Sequence, residues 1–269
     1  MRAPERLVLL GHPIAHSLSP RMQGAALRSA GIPLVYEAID VDPSTFDATI
    51  AELRAESAAG NVTVPHKERM RLACDELTPL AERVGAVNTF WVDERERLIG
   101  DNTDVGGFDA AVRELLGGEP SELSVGVVGA GGAAAAVLAA VEAWDRCVAH
   151  VYNRTPERAR ILCERFGSVA HPVDDIGVVA GAQLVVNATS LGLRDDAFPI
   201  DPALIAPGAV VVDLVYRPGE TAWVKATRAL GHRSRDGIAM LVEQGALAFE
   251  RWFGVVADRP AMWEAVRDH

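Results

Sequence analysis

LSVGVVGAGGAAAAVLAAV, running from Leu123 to Val141, is the stretch on which the fold of this chain turns. It is uncharged and close to the ~20 apolar residues that a membrane-spanning helix needs, so length alone admits a membrane reading. Composition argues against it: Gly and Ala dominate, and GAGG breaks the run in its middle. A buried strand, a tight turn and an Ala-rich helix account for it better. Gly129, Gly131 and Ala134 then occupy the positions of G-x-G-x-x-G/A, after a strand and opening a helix. Gly129 permits the tight turn, Gly131 lets backbone approach a pyrophosphate, and Ala134 is small enough for close helix–strand packing. The helix N-terminus offers free N–H groups and a positive dipole end. Gly-rich turns also serve packing alone, but here the strand–turn–helix context favours a bound dinucleotide.

The tip of the next strand selects the dinucleotide. An NAD site places an Asp or Glu there for the ribose 2′-OH. This chain has Asn153, Arg154 and Thr155, with Arg158 one turn on. Guanidinium groups pair with phosphate through charge-assisted, often bidentate hydrogen bonds, so the expected cofactor is NADP. Arg158 alone reads equally well as a charge on a solvated helix face.

Short apolar runs alternate with helical stretches on both sides of this segment, the pattern of an α/β protein with a largely parallel sheet. Expected strands before it are RLVLLG (6–11), LVYEAI (34–39) and NVTV (61–64), then NTFWV (88–92) and RLIG (97–100) as a hairpin around DERER. A second series comprises 123–129, 148–153, 183–188 and 209–216. The expectation is therefore a two-domain α/β chain: an N-terminal α/β substrate domain over 1–104, joined by C-terminal helices 238–269, and a Rossmann-like, doubly wound nucleotide-binding domain over 105–237. Ligands in such an arrangement are expected beyond the carboxyl ends of the strands.

With 269 residues, 49% hydrophobic and 23% charged, the chain has ample material for a core. Its 26 basic and 37 acidic residues leave a net charge of −11, a poor match for nucleic acid. Any anionic ligand must be met by locally placed Lys or Arg. Three dispersed cysteines suggest neither a disulfide framework nor a zinc ribbon. His12 and His16 flank Pro13 and suit a loop better than a metal site. The apolar run near the N-terminus is too short for a signal peptide, so a soluble, cytoplasmic protein without membrane partners is expected.

The first domain is polar where a plain fold has no need of it. Ser17 and Ser19 follow the first strand, placed either to donate to a carboxylate or to cap the next helix. In a strand, Asn61 and Thr63 share a side. Lys67 opens a helix, where it opposes the dipole, so its charge is either used elsewhere or merely solvated. Asn88 stands in GAVNT, and Thr103 and Asp104 in GDNTD.

Taken together, GHPIAHSLSP, NVTVPHKE, GAVNT, GDNTD, GAGGAA, NRTPERA, NATSLGL and DGIAMLVEQGA occur in the order and spacing of the shikimate dehydrogenase family, and the resemblance runs from about Val8 to Phe253. It implies reversible reduction of 3-dehydroshikimate to shikimate with NADPH. By motif, Lys67 and Asp104 resemble the catalytic pair, and Ser17 and Ser19 the ligands of the substrate carboxylate. Asn61, Thr63, Asn88, Thr103 and Gln244 resemble the residues that meet the ring oxygens, with Tyr216 near the carboxylate end. Gly129, Ala130, Gly131, Gly132, Ala133, Asn153, Arg154, Thr155 and Arg158 resemble the NADP contacts. Thr189, Ser190, Leu214, Gly237 and Met240 resemble the nicotinamide lining. No metal is expected from the residues, and a monomer or homodimer is expected. Two departures stand out: Val105 where Gly is common, and an Ala-only run after GAGG where a polar or basic residue is frequent. Quinate use, with NAD, is the neighbouring activity, and Ser19 rather than Thr at that position favours shikimate. A non-catalytic NADP sensor on the same fold needs neither Lys67 nor Asp104.

Overall fold

The computed structural model describes residues 3–267. Its strands form two six-stranded sheets. The first contains β1 (Arg6–Gly11), β2 (Tyr36–Asp40), β3 (Ala58–Val62), β4 (Glu76–Leu77), β5 (Thr89–Val92) and β6 (Leu98–Asp101), in the order β2-β1-β3-β5-β6-β4. β1 runs parallel to β2 and β3, whereas β5 is antiparallel to β3, and β6 to β5. The second contains β7 (Ser124–Val128), β8 (Val148–Tyr152), β9 (Ala170–Pro172), β10 (Leu184–Asn187), β11 (Val210–Asp213) and β12 (Arg233–Arg235). These run parallel throughout, in the order β12-β11-β10-β7-β8-β9.

Both orders reverse direction in the middle of the sheet, next to β1 and β3 in one case and β7 and β10 in the other. Such a switch point opens a crevice at the carboxyl ends of the flanking strands. In the first sheet the antiparallel pair adds to it: β5 begins where β3 ends, and β6 returns to the same edge.

Strand β3 differs from the expected NVTV. It starts at Ala58, is buried throughout and ends at Val62. AAGNV has a single β-branched side chain, Val62, where a strand usually has several, yet small residues are what this position demands. A Cβ on Gly60 would collide with the Val8 carbonyl oxygen. Beyond Val62 the chain turns, with His66 N–H donating to the Thr63 carbonyl at 2.9 Å. Period-two side-chain alternation therefore does not carry from Asn61 to Thr63. Strands β4, β9 and β12 escape sequence reading because two or three residues show no period. β2 begins only at Tyr36, leaving Val35 exposed.

Phe46, Ile50 and Leu53 of the helix Phe46–Ala55 pack with Met70, Phe90, Val8 and Leu10 beneath the first sheet. Val185, Val211, Val179 and Trp223 form a core of the second. The chain divides into one unit up to Gly107 that resumes at Leu241, and a second unit, Phe108–Met240. Both divisions fall a few residues inside the helices Asp104–Leu116 and Ile238–Phe253 rather than at the expected 104/105 and 237/238. Residues 1–2 and 268–269 of the expected domains lie outside the described residues. Among those described, no helix is long and apolar enough to cross a membrane.

Gly60 should be the less forgiving of two glycine positions. Gly60→Ala drives a methyl into strand backbone and is expected to lower unfolding free energy by about 2–3 kcal/mol in urea titration. Gly118→Ala, with no atom within 4 Å of the new Cβ, should change it by under ~0.5 kcal/mol.

Candidate active site

The carboxyl edge of the first sheet gathers the polar motifs. Lys67 is the first residue of the helix Lys67–Ala73, and Asp104 the first of the helix Asp104–Leu116. Lys67 Nζ donates to Asp104 Oδ2 at 2.5 Å, with 19% and 7% of their side chains exposed. Asp104 Oδ1 accepts from Asn88 Nδ2 at 2.8 Å, and Asp104 N–H bonds Asn102 Oδ1 at 3.1 Å. The free N–H groups of a helix start favour a negative side chain there. An amide and an ammonium thus fix both carboxylate oxygens, while the partial exposure of Lys67 leaves the ammonium open to another partner.

Asn88 is the hub. Its Nδ2 also lies 3.0 Å from Thr103 Oγ1 and 3.3 Å from Gln244 Oε1, and its Oδ1 accepts from Thr103 N–H at 2.7 Å. Gln244, on the helix Ile238–Phe253, donates back to the Leu241 carbonyl at 2.8 Å. Asn61 is buried in the same network. Its Oδ1 accepts from the Tyr36 hydroxyl at 2.7 Å, and its Nδ2 donates to the Asn88 carbonyl (3.1 Å) and Thr89 Oγ1 (2.9 Å). Thr89 and Thr103 hydroxyls are 3.0 Å apart. Asn61, Asn88 and Thr103 therefore all spend hydrogen-bonding groups on one another. Buried groups so satisfied specify one arrangement and are costly to break singly.

Neither serine caps a helix. The helix Ser19–Ser29 starts after Leu18 without a side-chain cap, and Ser17 Oγ only accepts from Ser19 N–H at 3.3 Å. Thr63 follows β3, its N–H on the carbonyl of Leu10 in β1 at 2.8 Å, and His12 N–H on the Val64 carbonyl at 3.0 Å ties the loops after β1 and β3 together.

The second unit presents the other group of motifs at its own switch point. Gly129 has φ +117°, a conformation that favours glycine, and a Cβ there would lie 2.7 Å from the Ala188 carbonyl oxygen. Gly131, by contrast, has nothing within 4 Å of its Cβ position. It precedes the helix Gly132–Ala143, whose first turn has no side-chain cap. Open space before an uncapped helix start suits a phosphate. At the tip of β8, Asn153 Nδ2 donates to the Thr155 carbonyl at 2.9 Å. Thr155 caps the helix Pro156–Arg165 with its backbone alone. Arg154 and Arg158 are both exposed and, among the described residues, have no ion-pair partner, in contrast to Arg113, Arg217 and Arg235 of the same unit. This donor set fits a 2′-phosphorylated dinucleotide. Thr189 and Ser190 follow β10, Leu214 and Tyr216 follow β11, and Gly237 and Met240 bracket the start of the helix Ile238–Phe253. Among the described residues no group of three or more His, Cys, Asp or Glu side chains is placed to hold a metal.

Sequence reading missed Tyr36, Thr89 and Asn102 as members of the network. Asn102 and Thr89 stand inside quoted motifs, whereas nothing local marks Tyr36. Tyr36→Phe removes the hydroxyl that bonds Asn61 and should cost about 1–2 kcal/mol in urea unfolding.

Two family models match the chain: the shikimate dehydrogenase substrate binding domain over residues 9–90, and the shikimate 5'-dehydrogenase C-terminal domain over residues 237–267. The shikimate dehydrogenase (NADP(+)) of Rubrobacter xylanophilus is 44% identical, over 96% of this chain and 94% of its own. Among solved structures, the shikimate 5-dehydrogenase of Thermus thermophilus, in complex with NADP(H) and shikimate, has 41% identity and TM-score 0.89, covering 97% of this chain and 98% of its own. The Aquifex aeolicus shikimate dehydrogenase has 34% identity and TM-score 0.91, covering 98% of each chain.

Proposed function

This chain belongs to the shikimate dehydrogenase family, and we propose that it interconverts 3-dehydroshikimate and shikimate with NADP(H), Lys67 and Asp104 forming its acid–base pair. The observation that carries this reading is the contact of 2.5 Å between Lys67 Nζ and Asp104 Oδ2 at a strand edge lined with hydroxyls and amides. Hydride addition to a ketone places negative charge on its oxygen, and bound NADPH supplies that hydride. Lys67 Nζ donates a hydrogen bond to the oxygen as charge develops and gives up a proton to it, which solvent replaces. Asp104 orients the ammonium, and Asn88 holds Asp104.

Ser17 and Ser19 donate to the substrate carboxylate, with Tyr216 near the same group. Thr63, Asn88 and Gln244 meet the ring hydroxyls. Asn61 and Thr103 meet them as well, bonded to Asn88 through its carbonyl and its amide. The nucleotide is held by Gly129, Ala130, Gly131, Gly132 and Ala133 at its pyrophosphate, and by Asn153, Arg154, Thr155 and Arg158 at the 2′-phosphate end. Thr189, Ser190, Leu214, Gly237 and Met240 line the nicotinamide. The acidic surface argues against nucleic acid as a partner. We place the enzyme in the cytoplasm as a monomer or homodimer.

The test is shikimate oxidation, followed by the absorbance of reduced cofactor, with NADP and NAD in parallel. NADP-linked turnover is expected. No shikimate-dependent reduction of either cofactor contradicts the proposal. Lys67→Ala, checked for folding by circular dichroism, should lower kcat at least about a hundredfold with little change in KM, the worth of a positioned acid–base group. The double variant Arg154→Ala/Arg158→Ala should raise KM for NADP at least about tenfold and leave NAD kinetics unchanged, because only NADP carries the phosphate.

A further inference from the structure

Asp213, the last residue of β11, is fully buried, and none of its hydrogen-bond donors is a cation. Its Oδ1 accepts from Asn187 Nδ2 at 2.8 Å and Val215 N–H at 3.1 Å, and its Oδ2 accepts from the Thr221 hydroxyl at 2.8 Å. The donors come from the end of β10, the turn after β11, and the residue capping the helix Ala222–Ala229. Asn187 passes the constraint on: its Oδ1 accepts from Thr189 N–H (3.0 Å) and the Thr189 hydroxyl (2.7 Å). Leu214 N–H bonds the Asn187 carbonyl at 3.0 Å. A Cβ on Gly237 would collide with the Leu214 carbonyl oxygen, so the next segment packs on this same backbone.

We propose that ionised Asp213 is a positioning residue for the nicotinamide half of the cofactor, clamping the loop that carries Thr189 and Ser190 to the loop that carries Leu214. The proposal rests on the assignment of those loops given above. The bond from Leu214 N–H to the Asn187 carbonyl ties the two strand ends by backbone alone, and one carboxylate accepting from both adds the side-chain tie that fixes their spacing.

The clamp is sensitive to pH. Burial pushes the Asp213 carboxyl up to about 6, with Asp236 adding repulsion and the three hydrogen bonds opposing the rise. Neighbouring elements also carry Arg233 and Arg235 of β12, and Glu220, Lys225 and Arg228 around the helix Ala222–Ala229. Arg235 is paired with Glu114, and Glu220 with Arg228. Because Oδ1 already has two donors, a proton arriving at Asp213 takes Oδ2, opposite the Thr221 hydroxyl. Thr221 Oγ1 accepts from Val224 N–H at 3.2 Å as the helix cap. Its hydroxyl hydrogen then loses its acceptor, and loss of the carboxylate charge weakens the bonds that Oδ1 accepts from Asn187 and Val215 N–H, which slackens the hold on both strand ends. Asp213→Asn locks in that neutral state.

The experiment is calorimetric titration of wild type, Asp213→Asn and Thr221→Val with NADP+ and with 2′,5′-ADP from pH 5.0 to 8.0. 2′,5′-ADP lacks the nicotinamide but carries the same 2′-phosphate, whose own titration near pH 6 therefore cancels in the affinity ratio. Wild type should lose about fivefold in NADP+ affinity relative to 2′,5′-ADP as pH falls through ~6, the effect of one lost hydrogen bond. Both variants should show the lowered ratio at every pH. A wild-type ratio constant with pH, or an Asp213→Asn ratio that tracks wild type, overturns the clamp. Equal weakening of both ligands in Asp213→Asn would instead overturn the assignment of these loops to the nicotinamide half.

Discussion

An ammonium and a carboxylate held in contact and largely out of water constitute the constraint on which the rest of this structure depends. Taking both charges from solvent costs free energy that their mutual attraction repays only when the geometry is good and the remaining lone pairs are satisfied. Here Asp104 meets those terms with one oxygen on Lys67 and the other on Asn88. Asn88 in turn needs Thr103, Thr89 and, through Asn61, the Tyr36 hydroxyl to stay in place. The polar interior at this strand edge is thus a chain of dependencies that ends on one contact between charges. Its apolar foundation is the core of Phe46, Met70 and Phe90 below the sheet.

Two sheets of different topology solve the same problem in the same way. Each leaves a crevice where strand order reverses, and each gathers its polar groups just past the strand ends. In the first, Lys67 and Asp104 each begin a helix, and the antiparallel β5 and β6 bring Asn88 and Asp104 to the edge where β3 stops. In the second, the switch point offers free backbone N–H groups and two guanidiniums without an ion-pair partner among the described residues. The chain as a whole is acidic, so the uncommitted charge of Arg154 and Arg158 is what makes that end of the unit receptive to an anion.

Much of this is legible in the sequence, for physical reasons. The run from Leu123 to Val141 announces a strand, turn and helix because Gly129 meets a demand of backbone geometry and Gly131 leaves room beside the helix start. NRTPER announces a phosphate by its missing carboxylate. Eight motifs in register then identify the family. What the sequence hides is depth. Asn61, Asn88 and Thr103 read as separate motif residues in one dimension, yet the fold buries all three and bonds them to one another. Tyr36 and Asp213 stand in ordinary strand sequence, and only strand pairing shows what they hold. Strand β3 is hard to place because Ala-Ala-Gly resembles no strand until the close approach to Val8 is known.

The most direct measurement is a crystal structure with shikimate bound. It should place one ring hydroxyl within hydrogen-bond distance of both Lys67 Nζ and the Asp104 carboxylate, with the substrate carboxylate on the hydroxyls of Ser17 and Ser19. A shikimate ring seated away from Lys67, or turned so that no hydroxyl reaches the pair, would contradict the assignment of the chemistry to these two residues.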